Sequence, residues 1–241
     1  MTELTRAKPL PIYLQISELL TRQIRAGYWR QGERLPTEAD LAQSLDVAVG
    51  TLRKALALLE QQGVLERIQG SGTYVRAGGN AKGIYDLFRL ELHDGPGLPT
   101  ASILSVDKVD RPASVPMLNA DGGSSKKAWR VRRLRFLNGT AAAVEEIWLD
   151  ARHAQSLKAS DLGDSMYLFY QTEFDLWISR AEDHIFAAAV PPWSVASFRP
   201  AIGKTVGYIE RTSWTAGNQI AEFSRTWFDP AVCRYASRLK D

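Results

Sequence analysis

The sequence predicts an α+β protein of two domains, and three observations carry that prediction. In the first third, apolar residues recur at three- and four-residue spacing over three successive stretches. Beyond residue 84, runs rich in β-branched and aromatic residues alternate with turn signals. Between these patterns lies the Gly-rich, polar run RAGGNAKGI at 76–84, which reads as a linker. The shifts place the domains at 8–76 and 85–241, with the linker at 77–84. A chain of 241 residues is long enough for two ordinary domains.

The first helix is read from Ile12, Leu14, Ile16, Leu19, Leu20 and Ile24, with Pro11 as its opening and Gly27 as its stop. After the GYWRQGERLP loop, Thr37 caps a second helix whose first turn holds Glu38 and Asp40 and which buries Leu41 and Leu45. A tight turn at Asp46-Val47 leads into a third helix over 49–62. It buries Leu52, Ala55, Leu56 and Leu59, leaves Thr51, Arg53 and Lys54 on other faces, and ends at Gly63. Two short helices joined by a tight turn form a helix-turn-helix, whose second helix enters the major groove. Residues 64–68 then alternate as a strand, 69–72 form a hairpin turn and 73–75 return, which makes a wing.

The continuous stretch 11–75 resembles the winged-helix domain of the GntR family of regulators. ERLPTEADLA, the TLRKAL of the third helix and the RIQGSGTYV wing carry the resemblance in order and at the family's spacing. It implies that Thr51 and Arg53 meet phosphates or base edges, that Arg34 lies at the DNA backbone, and that Gln69 and Gly70 approach the minor groove. Thr37, Ala48, Val49 and Gly50 complete the expected DNA-binding set. Arginine charge and a glycine turn suit those roles. Arg53 also reads as a solvated helix face, and Gly70 and Gly72 as turn formers. Many family members carry arginine at the positions of Ala39 and Val49. Bidentate reading of guanine by such a residue is worth roughly 1–3 kcal/mol, so the usual half-site is not expected here.

In the last two thirds, strands are read at 100–109, 128–137, 142–149, 177–190, 205–214 and 219–228. Asn138-Gly139 and Ala216-Gly217-Asn218 serve as hairpin turns. Helices are read at 165–174 and, shorter, near 151–157 and 193–198. The pattern is that of an antiparallel sheet with helices, with Trp148, Trp177, Trp214 and Trp227 in its core. Arg133 and Arg135 stand two apart on a strand and share a face. Ser165 opens a helix, offering a hydroxyl and unpaired amides. Together they form a set for phosphate or carboxylate. Glu145 and Glu222 suit ligand hydroxyls or an amine, and Tyr167 suits stacking or a hydrogen bond. The arginines opposite Glu145 and Glu146 read equally as cross-strand ion pairs on a solvated face.

This region resembles the UTRA effector-binding domain of the HutC-type subgroup, which has a chorismate-lyase-like fold. The resemblance rests on Arg133-Leu134-Arg135 with NGTAAAVEE, on Asp164-Ser165-Met166-Tyr167 and on IAEFSRTWFDP. It implies that Arg133, Arg135, Glu145, Ser165, Tyr167 and Glu222 line an effector pocket. The whole then reads as a repressor acting as a homodimer on double-stranded operator DNA and answering to a small anionic metabolite.

Composition is consistent with this reading. Hydrophobic content of 45% and charged content of 24% are those of a globular chain, and a net charge of +3 with pI near 9.0 suits a nucleic-acid partner. Cys233 is the lone cysteine, which excludes an intrachain disulfide and a thiolate zinc cluster. His93, His153 and His184 are scattered. No metal, cofactor or catalytic residue is expected, and MTELTRAKPLPIY has no apolar core, so a cytoplasmic protein without membrane association is expected. Two other functions are weighed. A lyase-like enzyme on a small carboxylate lacks a nucleophile or base constellation. A nucleoid-type or RNA-binding protein fits the small charge excess poorly.

Overall fold

The computed structural model describes residues 5–76, 83–116 and 126–238. Residues 77–82 of the expected linker lie outside them. In chain order the elements are β1 (Thr5–Arg6), α1 (Ile12–Arg25), α2 (Glu38–Ser44), α3 (Val49–Gln61), β2 (Leu65–Ile68), β3 (Gly72–Val75), β4 (Leu90–Leu92) and β5 (Pro99–Asp110). They continue with β6 (Lys127–Leu137), β7 (Thr140–Asp150), a 3-10 turn at Ala159–Asp161, α4 (Met166–Phe174), β8 (Arg180–Ala189), β9 (Thr205–Trp214), β10 (Ile220–Phe228) and β11 (Cys233–Tyr235). Two compact units result, one of residues 10–98 and one of 1–9 with 99–241.

In the 10–98 unit, α1, α2 and α3 close over a core in which Leu20, Leu52 and Leu59 are fully buried. Thr37 caps α2 by accepting the Asp40 amide at 3.2 Å. Asp46 turns the chain between α2 and α3 in the left-handed region, at φ 51°. The wing pairs β2 with β3. The loop before α2 adds a third backbone partner. Gly32 donates to the Val75 carbonyl at 2.8 Å, Val75 to Glu33 at 2.9 Å, and Leu35 to Thr73 at 2.9 Å.

Residues 83–84 of the expected linker and 85–98, expected in the second domain, group instead with the first unit, and two buried side chains of α1 explain why. Arg22 donates to the carbonyls of Phe88, Leu90, Pro96 and Gly97 at 2.8–3.2 Å. Glu18 accepts the amides of Ile84 and Tyr85. Leaving either group buried without such partners would be unfavourable by about 1–3 kcal/mol, and more where it is charged, so the segment and the helix stabilise each other.

The other unit is a seven-stranded sheet in the order β1-β5-β6-β7-β10-β9-β8, antiparallel throughout. On one face α4 packs Met166, Phe169 and Tyr170 against Ile103, Val131, Ile147 and Leu149. The opposite face buries Leu134, Val144, Tyr208 and Trp227 under Val190 and Phe198. Asn138 and Gly139, both at positive φ, close the β6–β7 hairpin as the Asn-Gly signal requires. Ala7 is buried in the α4-side core beside Ala101.

Three local expectations are corrected. Residues 151–157 are not helical, because the Asp150 carboxylate takes the Arg152 amide at 2.8 Å and its carbonyl takes the His153 amide, turning the chain. Residues 193–198 form separate turns, Ser194 to Pro191 and Phe198 to Val195, bracketed by Pro191, Pro192 and Pro200. Trp177 is 58% exposed and precedes β8, which begins at Arg180, so it is not a core residue.

Candidate functional site

The expected DNA-reading set falls on one unit. α3 buries Leu52, Ala55, Leu56 and Leu59, and this face leaves Gly50 and Arg53 exposed and Thr51 half-buried. Ala48 is the N-cap and lends no side-chain cap, so the first amides of the helix keep their capacity for an anion. Val49 is partly spent on packing against the helical core. Gln69 and Gly70 are exposed at the wing tip, and Gly70 takes φ +74°, which a side chain rarely adopts. Gly72, at φ +139°, lies under Arg34, whose Nε is 2.7 Å from where a Cβ would stand. A cleft of about 480 Å³ between α2 and the wing is bordered by Arg34, Thr37, Glu38, Arg67, Gln69 and Gly70.

Glu38 and Arg67, which sequence reasoning did not place in the site, join this face. Arg67 on β2 and Arg53 on α3 both donate to the Glu38 carboxylate. The i, i+15 and i, i+29 separations hide the contact, although Glu38 was visible as a first-turn acid.

On the α4 side of the sheet, the six expected pocket residues converge. Arg133 and Arg135 are both buried and both donate to the Asp164 carbonyl, at 3.4 and 2.8 Å. Arg133 also grips Glu145 on β7, its register partner, with Nε–Oε2 at 3.0 Å. The cross-strand ion pair is therefore present but buried, not on a solvated face. Glu146 points to the other face and pairs with Arg132 at 2.8 Å. Ser165 is the N-cap of α4, accepting the Leu168 amide at 3.4 Å. Tyr167 hydrogen-bonds Ser213 at 2.8 Å. Glu222 is buried, and its carboxyl interacts with the Tyr170 hydroxyl beside it.

The electrostatics follow from burial and partners. Burial alone would raise the Glu145 carboxyl, but the guanidiniums of Arg133 and Arg135 outweigh it and hold it below the usual range. Glu222 has less help: burial, with the nearby Glu145 charge, pushes it up to about 7 despite Tyr170 and Arg133. Burial raises the Asp164 carboxyl, tempered by the Ala101 amide it accepts at 2.8 Å. The Tyr167 and Tyr170 phenols are raised by burial and by Glu222, so both remain protonated donors. Asp164, Tyr170 and Ser213 were missed, and so was Arg211, whose charge acts on both Tyr167 and Glu222. Arg211 and Ser213 share one face of β9, but the polar neighbours Glu210 and Thr212 gave no sequence signal to set them apart.

The comparisons with known proteins match this geometry. A family model described as bacterial regulatory proteins, gntR family, matches residues 12–75, and a UTRA domain model matches 98–232. The HTH-type transcriptional regulator SmoD of Agrobacterium fabrum is 45% identical over 231 residues, spanning 96% of this chain and 97% of SmoD. The chain belongs to the GntR family. It is a DNA-binding transcriptional regulator with a UTRA domain, and its relatives are regulators, not enzymes. The mannosyl-D-glycerate transport/metabolism system repressor MngR of Escherichia coli is 29% identical across 91% of this chain and 92% of its own length. The fold of this GntR chain is shared with the crystal structure of the possible regulator YydK of Bacillus subtilis, at TM-score 0.53 and 19% identity, over 96% of this chain and all of that one. Among the described residues no helix is long and apolar enough to cross a membrane, and no group of three or more His, Cys, Asp or Glu is placed to hold a metal ion.

Proposed function

We propose that this GntR regulator is a repressor that binds operator DNA as a homodimer and changes its grip when a small hydroxylated anion enters the UTRA domain. The observation that carries the reading is the pair Arg133 and Arg135, buried together at the Asp164 carbonyl where α4 begins. Two guanidiniums beside the unpaired amides of a helix start form an anion site. Glu145 occupies Arg133 from inside the protein, and an anionic ligand would take over that charge. Glu222 and Tyr170 pair with each other, and a ligand hydroxyl would exchange into that pair. MngR is named for mannosyl-D-glycerate, a sugar bearing a carboxylate, which is the same chemistry. The DNA contacts are assigned to Arg34, Thr37, Ala48, Val49, Gly50, Thr51, Arg53, Gln69 and Gly70. One winged helix covers a half-site, and a two-fold axis supplies the other. The coupling expected between the ligand and DNA sites is about 1–3 kcal/mol.

A thermal-shift screen of sugar acids, sugar phosphates and other carboxylates tests the reading. A ligand at about 100 times its Kd adds roughly 2.7 kcal/mol of stability. The hit should vanish in Ser165→Ala with Arg135→Lys, which spare the Arg133–Glu145 pair, and should lower or raise operator affinity in the wild type. A ligand whose shift survives both substitutions sinks the pocket assignment. A monomeric mass on operator DNA sinks the dimer.

A further inference from the structure

Glu38 stands in the first turn of α2, between the recognition helix and the wing. Its Oε2 accepts from Arg53 Nε at 2.6 Å, and its Oε1 accepts from the Arg67 guanidinium. The Arg53 and Arg67 side chains are 64% and 49% exposed, whereas that of Glu38 is only 26% exposed. The Arg53 hydrogen bond holds the Glu38 carboxyl below its usual range, so it is ionised at neutral pH. One carboxylate therefore holds two cations that come from different elements, and it borders the cleft beside the wing together with Arg67.

We propose that Glu38 sets the specificity of the DNA interface, positioning Arg53 and Arg67 for the matching duplex while its own charge weakens attachment to phosphates in general. Two effects with opposite consequences combine in this residue. An arginine already ordered loses less freedom when it meets its target, which favours the one duplex whose groups lie where the gripped guanidiniums point. Non-specific binding depends instead on how many phosphates are neutralised, and a carboxylate shared by two arginines subtracts one charge from that count. Glu38 thus raises the matched affinity and lowers the unmatched one.

The inference rests on α3 and the wing being the DNA face. The test measures binding of the full-length chain to two duplexes of equal length over a salt series from about 50 to about 300 mM. One duplex is selected by the wild type from a random pool, and the other is its scrambled version. Glu38→Gln should bind the scrambled duplex several-fold tighter, with the slope of log K against log salt steeper by up to ~0.9, one further phosphate. It should bind the selected duplex no tighter, so that selectivity falls on the order of tenfold. Glu38→Asp keeps the charge but is too short to hold both arginines. It should leave the scrambled affinity unchanged and weaken the selected one. Parallel loss on both duplexes at unchanged slope would make Glu38 a structural brace and overturn the proposal, as would unchanged selectivity in the two variants. A wing-tip Gln69→Glu that disturbs neither duplex would instead remove the DNA-face reading itself.

Discussion

In the winged helix, Arg53 and Arg67 stand at the surface and share one half-covered carboxylate, whereas in the UTRA sheet Arg133 and Arg135 are sealed against Glu145 and the Asp164 carbonyl. Each arrangement suits the partner proposed for it. DNA presents a repeated charge to an open face, and exposed ion pairs are weak, about 0–1 kcal/mol, so they exchange readily for phosphate. A small metabolite must be recognised away from water. Its arginines need an internal counter-ion while the site waits, because an unpaired buried charge is unfavourable by several kcal/mol. On the proposed function, the exposed set suits exchange with phosphate, and the buried set suits substitution of one anion by another.

The largest effect should come from breaking the buried side of this contrast. Arg133→Ala leaves Glu145 without its partner and should destabilise the UTRA unit by about 3–5 kcal/mol in denaturant melts. Adding Glu145→Gln should recover part of that loss, and no recovery would mean the pair is not coupled. Next comes Glu222, whose carboxyl is raised to about 7 in the folded state against about 4.3 in an unfolded chain. The folded form binds the extra proton, so its stability is greatest below the unfolded value and declines as pH rises through 7. Glu222→Gln should therefore gain on the wild type between pH 5 and pH 8, by at most about 3 kcal/mol. An equal Tm difference at both pH values would show that Glu222 is not protonated when folded.

Smaller effects belong to the exposed unit. Thr37→Ala removes the α2 cap and should cost about 1 kcal/mol of that unit's stability, read by thermal melting. Arg53→Ala should change stability by about 1 kcal/mol or less, since its ion pair is exposed. It should nevertheless weaken operator binding and flatten the salt slope, and an undisturbed slope would remove Arg53 from the phosphate contacts.

The helices, the wing and most of the sheet were legible because their apolar residues keep the period of the element they form. The third wing partner at 32–35 was not, since GERL pairs through backbone amides and only Leu35 is buried. The stretches 151–157 and 193–198 have helical-looking composition, but Asp150 and the flanking prolines decide otherwise. In the proposed pocket, Arg133, Arg135, Ser165 and Tyr167 could be grouped from strand parity and a helix start. Arg211, Ser213 and Asp164 could not, because their relation to those residues depends on strand order β7-β10-β9 and on the placement of α4. The Glu38 grip was hidden for the same reason, its partners being brought together by tertiary packing alone.

β1 and β5 are neighbours in the sheet, with Arg6 opposite Ser102 and the Ala7 amide bonded to the Ala101 carbonyl at 3.1 Å. Residues 10–98, the whole DNA-reading unit, fall between them in the chain. Topologically the reader is therefore a guest domain, housed where a two-residue hairpin loop would otherwise join adjacent antiparallel strands roughly 5 Å apart. Cutting the sheet free at Pro99 would discard β1 and the buried Ala7. Replacing the guest with an Asn-Gly turn between Pro9 and Pro99 would keep both, and should yield a stand-alone ligand receptor whose thermal shifts match those of the full-length protein.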